Sequence, residues 1–188
     1  FMDKREISIG TQCVWSGEEK NFFEGATQVP IVNSVSYGYK DVDEWLEVAS
    51  GRKPGHIYSR NSNPTVQVFE DKIRILEGAE AATSASTGMG IISSTLFTFL
   101  SPDDRIVSVK DTYGGTNKIF AEFLPRFKID VVLCDTTDHE AIENEVAKGC
   151  KILYLESPTN PTVKVLDIAR LAKAGYNAGA LVIVDNTF

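Results

Sequence analysis

The chain has 188 residues, 43% of them apolar and 24% charged, with a net charge of −7 and a pI near 4.9. Such a length makes one good-sized domain, or most of one, and the acidic balance argues against general affinity for nucleic acid or anionic membrane. The apolar stretches are strand-length, so no membrane span is expected, and the three cysteines (Cys13, Cys134, Cys150), with no CxxC pair, read as free thiols of a cytoplasmic protein.

Residues 1–55 are irregular, with Gly10, Gly17, Gly25, Pro30, Gly38 and Pro54 punctuating short pieces. Residues 41–49 can form a short helix. A long segment of this kind usually wraps a neighbour, either its own domain or another subunit. Asn63-Pro64 then starts a helix, with Asn as N-cap and Pro at the first helical position. Val66, Phe69, Ile73 and Leu76 share one face, and Gly78 ends it. Residues 81–86 read as a small-residue strand, followed by a glycine turn and an apolar helix to Leu100. Strands are expected at 105–109, 129–134, 151–155 and 180–184. Helices are expected at 116–124 (closed by Pro125), 139–148 and 166–174. Strand and helix alternate about five times, which predicts an α/β domain with a mostly parallel sheet covered on both faces by helices.

Ligands in such sheets bind outside the carboxyl ends of the strands. Segments 84–90, 110–116, 135–138, 156–160 and 185–188 emerge there and form one candidate site. Gly88 and Gly90 let the backbone approach a ligand, and the free amides of the following helix favour a phosphate. The same residues nearly match a dinucleotide fingerprint, but Ser93 replaces the third glycine and no acid ends the next strand. Tyr113 can stack on a flat heteroaromatic ring, with Gly114 and Gly115 leaving room. Asn160 sits in a stiff loop between Pro158 and Pro161, where its amide can bond a ligand oxygen. Asp185 ends the last strand as an N-cap, a loop residue, or an anion awaiting a cation. Two unit charges about 4 Å apart are worth about 4 kcal/mol at an effective dielectric of 20, enough to keep a ring nitrogen protonated. Tyr58 and Arg60 add a phenol and a phosphate fork. His56 and His139 are the only histidines, and neither stands among residues spaced like a zinc site or a nucleophilic triad.

Six motifs occur in order. They are Tyr58-Ser59-Arg60 with Asn63-Pro64-Thr65, Leu76-Glu77-Gly78-Ala79, Ser86-Thr87-Gly88-Met89, Tyr113-Gly114-Gly115-Thr116, Glu156-Ser157-Pro158-Thr159-Asn160-Pro161 and Val184-Asp185-Asn186-Thr187-Phe188. Together they resemble the Cys/Met-metabolism pyridoxal-phosphate (PLP) enzymes, from about residue 25 onward. That family includes cystathionine γ-synthase, cystathionine γ-lyase, O-acylhomoserine sulfhydrylases and methionine γ-lyase. The resemblance implies the large domain of a fold-type-I PLP-dependent transferase, incomplete here. It makes residues 1–55 an extended arm against a neighbouring subunit and residues 56–188 the first part of the PLP-binding domain.

By the same resemblance, the amides of Gly88 and Met89 would hold the PLP phosphate. Tyr113 would stack on the ring and act as the catalytic residue touching substrate. Asn160 would lie near the ring hydroxyl, Asp185 would pair with the ring nitrogen, and Thr187 would join the cofactor contacts. Tyr58 and Arg60 would reach a neighbouring subunit's cofactor, with Tyr58 also near the substrate, which implies an active dimer, usually within a homotetramer. The family's Schiff-base lysine and its carboxylate-binding C-terminal domain stand beyond Phe188, so these 188 residues alone are expected to be inactive. Gly115 stands where methionine γ-lyases resemble one another in having Cys, and Lys118, by the resemblance a substrate contact, stands where cystathionine γ-lyases often have Arg. Residues 123–126 look closer to cystathionine γ-synthases. The expected activity is therefore transsulfuration: γ-replacement on O-acylhomoserine with cysteine, in methionine biosynthesis. Cystathionine γ-lyase and O-acylhomoserine sulfhydrylase are the alternatives within the family. An inactive assembly module and an NAD-type domain are the alternatives outside it.

Overall fold

A computed structural model describes residues 8–17 and 25–188. Parts of the expected N-terminal arm, residues 1–7 and 18–24, lie outside the described residues. Two compact units divide between Ser84 and Ala85.

The first unit carries helices α1 (Ile9–Trp15), α2 (Val42–Ala49) and α3 (Pro64–Leu76). Helix α1 is not expected from the sequence, because Gly10 and a polar surround weaken its intrinsic propensity. A tertiary contact supports it: Lys72 Nζ on α3 donates to the carbonyl of Val14 at 2.7 Å. Asp41 Oδ1 caps α2 by accepting from the Glu44 amide at 2.8 Å. Asn63 caps α3 as expected, its Oδ1 accepting from the Thr65 amide at 2.8 Å. Its Nδ2 donates to the Val32 carbonyl at 2.8 Å, so the cap also anchors the preceding chain. Gly78 follows the helix with φ +62°, a conformation that disfavours side chains. The face read as apolar remains open: Val68 is buried, while Val66, Phe69, Ile73 and Leu76 are exposed.

The second unit is a parallel sheet of four strands in the order β2-β1-β3-β4. The strands are β1 (Arg105–Val109), β2 (Asp130–Cys134), β3 (Ile152–Glu156) and β4 (Leu181–Asp185). Helices α4 (Gly88–Phe99), α5 (Gly114–Lys118), α6 (His139–Ala147) and α7 (Ile168–Asn177) complete it. Side chains alternate across the sheet, so β1 and β3 feed two cores. Ile106, Ile152 and Tyr154 pack with Leu96 of α4 and Phe120 on one side. Val107, Leu153 and Leu155 pack with Ile142 of α6 and Leu171 of α7 on the other.

Two sequence expectations are corrected. Residues 81–86 form no strand and join no sheet, leaving four strands among the described residues instead of five. A run of Ala, Thr and Ser offers little apolar surface to a strand neighbour. The expected continuous helix at 116–124 is instead α5, a π turn (Ile119–Phe123) and a 3-10 turn (Leu124–Phe127). The Leu124 amide bonds back five residues to Ile119, and Pro125 has no amide to continue an α-helix.

Candidate active site

The start of α4 is built by Thr87. Its extended backbone turns the chain, and its hydroxyl accepts from the Gly90 amide at 2.9 Å. A Cβ on Gly90 would sit 2.9 Å from that hydroxyl, so the cap depends on glycine there. The amides of Gly88 and Met89 are first-turn donors that an α-helix cannot satisfy by itself. They point with the positive end of the helix dipole, which favours an anion. Space beside Gly88 is open, with nothing within 4 Å of where a Cβ would stand. The glycines do not follow a strand, so the strand–turn–helix context of a dinucleotide fingerprint is missing among the described residues.

The loops after β1 and β3 meet at Glu156. This carboxylate closes β3 and is 3% exposed. Its Oε2 accepts from the Tyr113 amide at 2.8 Å and its Oε1 from the Asn160 amide at 2.9 Å. Tyr113 stays 48% exposed and lines a cavity. Behind it, a Cβ on Gly115 would lie 2.9 Å from Tyr113 Cε1 and 2.8 Å from Met89 Sδ. Farther out, Lys164 Nζ and Asp111 Oδ2 form an ion pair at 2.8 Å between the same two loops. Lys164, with the Thr136 hydroxyl donating at 2.6 Å, holds the Asp111 carboxyl below its ordinary range.

Asp185 ends β4 beside Glu156, its register partner on β3. The Thr187 amide and hydroxyl donate to Asp185 Oδ1 at 3.2 and 2.6 Å. The Tyr154 hydroxyl donates to Oδ2 at 3.1 Å. Burial first, and the Asp185 charge next, push the Tyr154 phenol well above its ordinary pKa. Asn186 Nδ2 donates to the Ser157 carbonyl at 2.5 Å, joining the ends of β3 and β4.

These pieces surround one cavity of about 310 Å³. Gly88, Met89, Tyr113, Asn160, Asp185 and Thr187 all line it, as does Glu156. Ile92, Pro158 and Phe188 give it apolar walls. Lys118 is not brought in; it stands exposed at the last residue of α5. Tyr58 and Arg60 belong to the first unit, where Tyr58 bridges Ser36 and the Arg60 guanidinium lies 4.6 Å from the Tyr58 ring centroid. Sequence reasoning gave no role to Glu156, Tyr154 or the Thr87 hydroxyl. Tyr154 carried a signal, since a phenol inside an apolar strand needs a partner. Thr87 was also findable, as the polar residue preceding a glycine-rich helix start.

The family model for Cys/Met metabolism PLP-dependent enzymes matches residues 10–188. A curated L-methionine gamma-lyase from Fusobacterium nucleatum subsp. polymorphum is 37% identical over 188 residues, covering 100% of this chain and 47% of that protein. A cystathionine gamma-lyase from Bacillus subtilis is 35% identical over 173 residues, covering 92% of this chain and 42% of that protein. The crystal structure of cystathionine gamma synthase from Xanthomonas oryzae pv. oryzae in complex with aminoacrylate and cysteine superimposes with a TM-score of 0.85 at 28% identity. It covers 97% of this chain and 45% of that one. The chain thus spans about half the length of these proteins.

Proposed function

The chain belongs to the Cys/Met metabolism PLP-dependent enzyme family, and from that premise we propose that the polypeptide carrying it is a transsulfuration enzyme acting on γ-substituted amino acids. The supporting observation is the convergence of Gly88, Met89, Tyr113, Asn160 and Asp185 on one cavity, from segments otherwise far apart in sequence. Their chemistry fits the family's cofactor. The first-turn amides of α4 would hold its phosphate, with open space at Gly88 for the approach. The exposed ring of Tyr113 would cover the pyridine face and Asn160 would meet the ring oxygen. Asp185, fixed by Thr187 and Tyr154, would face the ring nitrogen. PLP supplies an electron sink for negative charge developing beside the substrate amine. The chain's own contribution is to bind and orient that ring and to hold an anion at its nitrogen.

Within the family the reading is γ-replacement, as in a cystathionine γ-synthase, with cystathionine γ-lyase and O-acylhomoserine sulfhydrylase activities as variants on the same site. Gly115 supports it over methionine γ-elimination, because a side chain there meets Met89 and Tyr113 below 3 Å. Methionine γ-elimination is the second reading, favoured by the 37% identity to an L-methionine gamma-lyase. The full-length polypeptide, supplied with PLP, is tested with O-acylhomoserine plus cysteine and, separately, with methionine. Cystathionine detected by mass spectrometry supports γ-replacement. Methanethiol from methionine, without cystathionine, replaces it with the second reading.

Assembly as a dimer within a tetramer belongs to the same proposal, with Tyr58 and Arg60 serving a neighbouring subunit's cofactor. The exposed apolar side chains of α3 support it, being a face that another surface would cover. Light scattering of the full-length protein measures it. A cytoplasmic setting is proposed on the free thiols of Cys13, Cys134 and Cys150.

A further inference from the structure

We propose that Glu156 is a positioning residue for the cofactor ring, holding the backbone of Tyr113 to that of Asn160 and so fixing the two ring contacts relative to each other. The inference rests on reading the cavity as a PLP site. Tyr113 follows β1 and Asn160 follows β3, on separate loops. One buried carboxylate accepts from both amides, at 2.8 and 2.9 Å. Among the described residues no Lys or Arg forms an ion pair with it, so its charge is met by backbone donors. Burying a charge is costly, and a link between loops does not by itself require one. A carboxylate is nevertheless the side chain suited to this place, because both oxygens accept and neither donates. A glutamine would turn its NH2 toward one of the two amides and lose that bond. The lost bond sits directly behind the stacking ring or the Asn160 amide. The amides of Gly88 and Met89, on α4, are untouched.

Ring binding and phosphate binding should therefore separate. In the full-length polypeptide, Glu156→Gln is expected to weaken PLP about tenfold, the size of one charge-assisted hydrogen bond, as read by absorbance titration. Competition by inorganic phosphate should stay within about twofold of wild type, since its donors on α4 are unchanged. The visible circular dichroism of bound PLP, which reports ring orientation, should change. In a Tyr113→Ala background the effect of Glu156→Gln should shrink to about twofold, because coupled sites are not additive. Equal loss of PLP and phosphate, or full additivity with Tyr113→Ala, overturns the proposal and leaves Glu156 a structural residue. Should Glu156→Gln not fold, Glu156→Asp carries the same expectations, since it keeps the charge but is one methylene too short for both amides. Wild-type protein that binds no PLP overturns the reading of the cavity itself.

Discussion

The hydroxyl of Tyr154 donates a 3.1 Å hydrogen bond to Asp185 Oδ2, across neighbouring parallel strands. Tyr154 is opposite Ile183 in the β3–β4 register, and Asp185 lies two residues on, so both side chains leave the same face of the sheet. The ring is buried edge-on against Phe120, with centroids 5.3 Å apart and an interplanar angle of 79°. Tyr154→Phe keeps that packing and removes only the donor. It is expected to cost about 1 kcal/mol of stability, measured by urea unfolding, and to weaken PLP several-fold.

The same substitution has an alkaline signature. The folded-state phenol is raised above its unfolded value, so folded protein binds more protons above about pH 10 and stability falls as pH rises there. Tyr154→Phe removes that titration. Its stability–pH curve is expected to be flatter than wild type above pH about 10; parallel curves would count against the assignment.

At the acid end the ion pair of Asp111 and Lys164 sets the sign. The Asp111 carboxyl is lowered, chiefly by Lys164. Its contribution is present above the ordinary Asp range, near pH 3.9, and is lost as pH falls through the depressed value. Asp111→Asn should flatten the acid limb of a stability–pH profile. The pair is partly exposed, so the effect at neutral pH should be small and decline with salt.

Gly115 should tolerate no side chain without movement. A Cβ there lies 2.8 Å from Met89 Sδ and 2.9 Å from Tyr113 Cε1. Gly115→Ala is expected to displace both side chains, to destabilise by about 1–3 kcal/mol as overpacking does, and to weaken PLP more than inorganic phosphate. Titration with each ligand and urea unfolding measure these effects.

Thr87→Ala tests the phosphate end. It removes the acceptor of the 2.9 Å bond from the Gly90 amide. The cost expected for a lost N-cap is about 1 kcal/mol, read by thermal unfolding. The frayed first turn should weaken inorganic phosphate and PLP by the same factor, in contrast to Glu156→Gln.

Much of this was legible in the chain. Alternating apolar runs such as Ile152-Leu153-Tyr154-Leu155 announced a parallel sheet covered on both faces, because strands buried on two sides are apolar at successive positions. The Asn63-Pro64 start of α3 was readable because capping is local chemistry. Glycine at 88, the Tyr113 loop and Asp185 pointed to one ligand site, because loops at the strand ends of such a sheet gather at a single edge.

Other features were decided only by tertiary structure. Residues 81–86 stand where the alternation of elements calls for a strand, but a strand exists only where a neighbour pairs with it, and none does in the described sheet. Helix α1 is tied down by Lys72, more than fifty residues along the chain. Lys118 is close in sequence to Tyr113, yet it stands at the exposed end of a short helix away from the cavity. Glu156 and Tyr154 form bonds to Tyr113 and Asp185 that span 43 and 31 residues. The sequence by itself determined which groups could bind a flat, phosphorylated ring, because that depends on residue type and local backbone. The order and register of the strands decided how those groups are held, because a hydrogen bond between distant segments exists only once the sheet has brought them together.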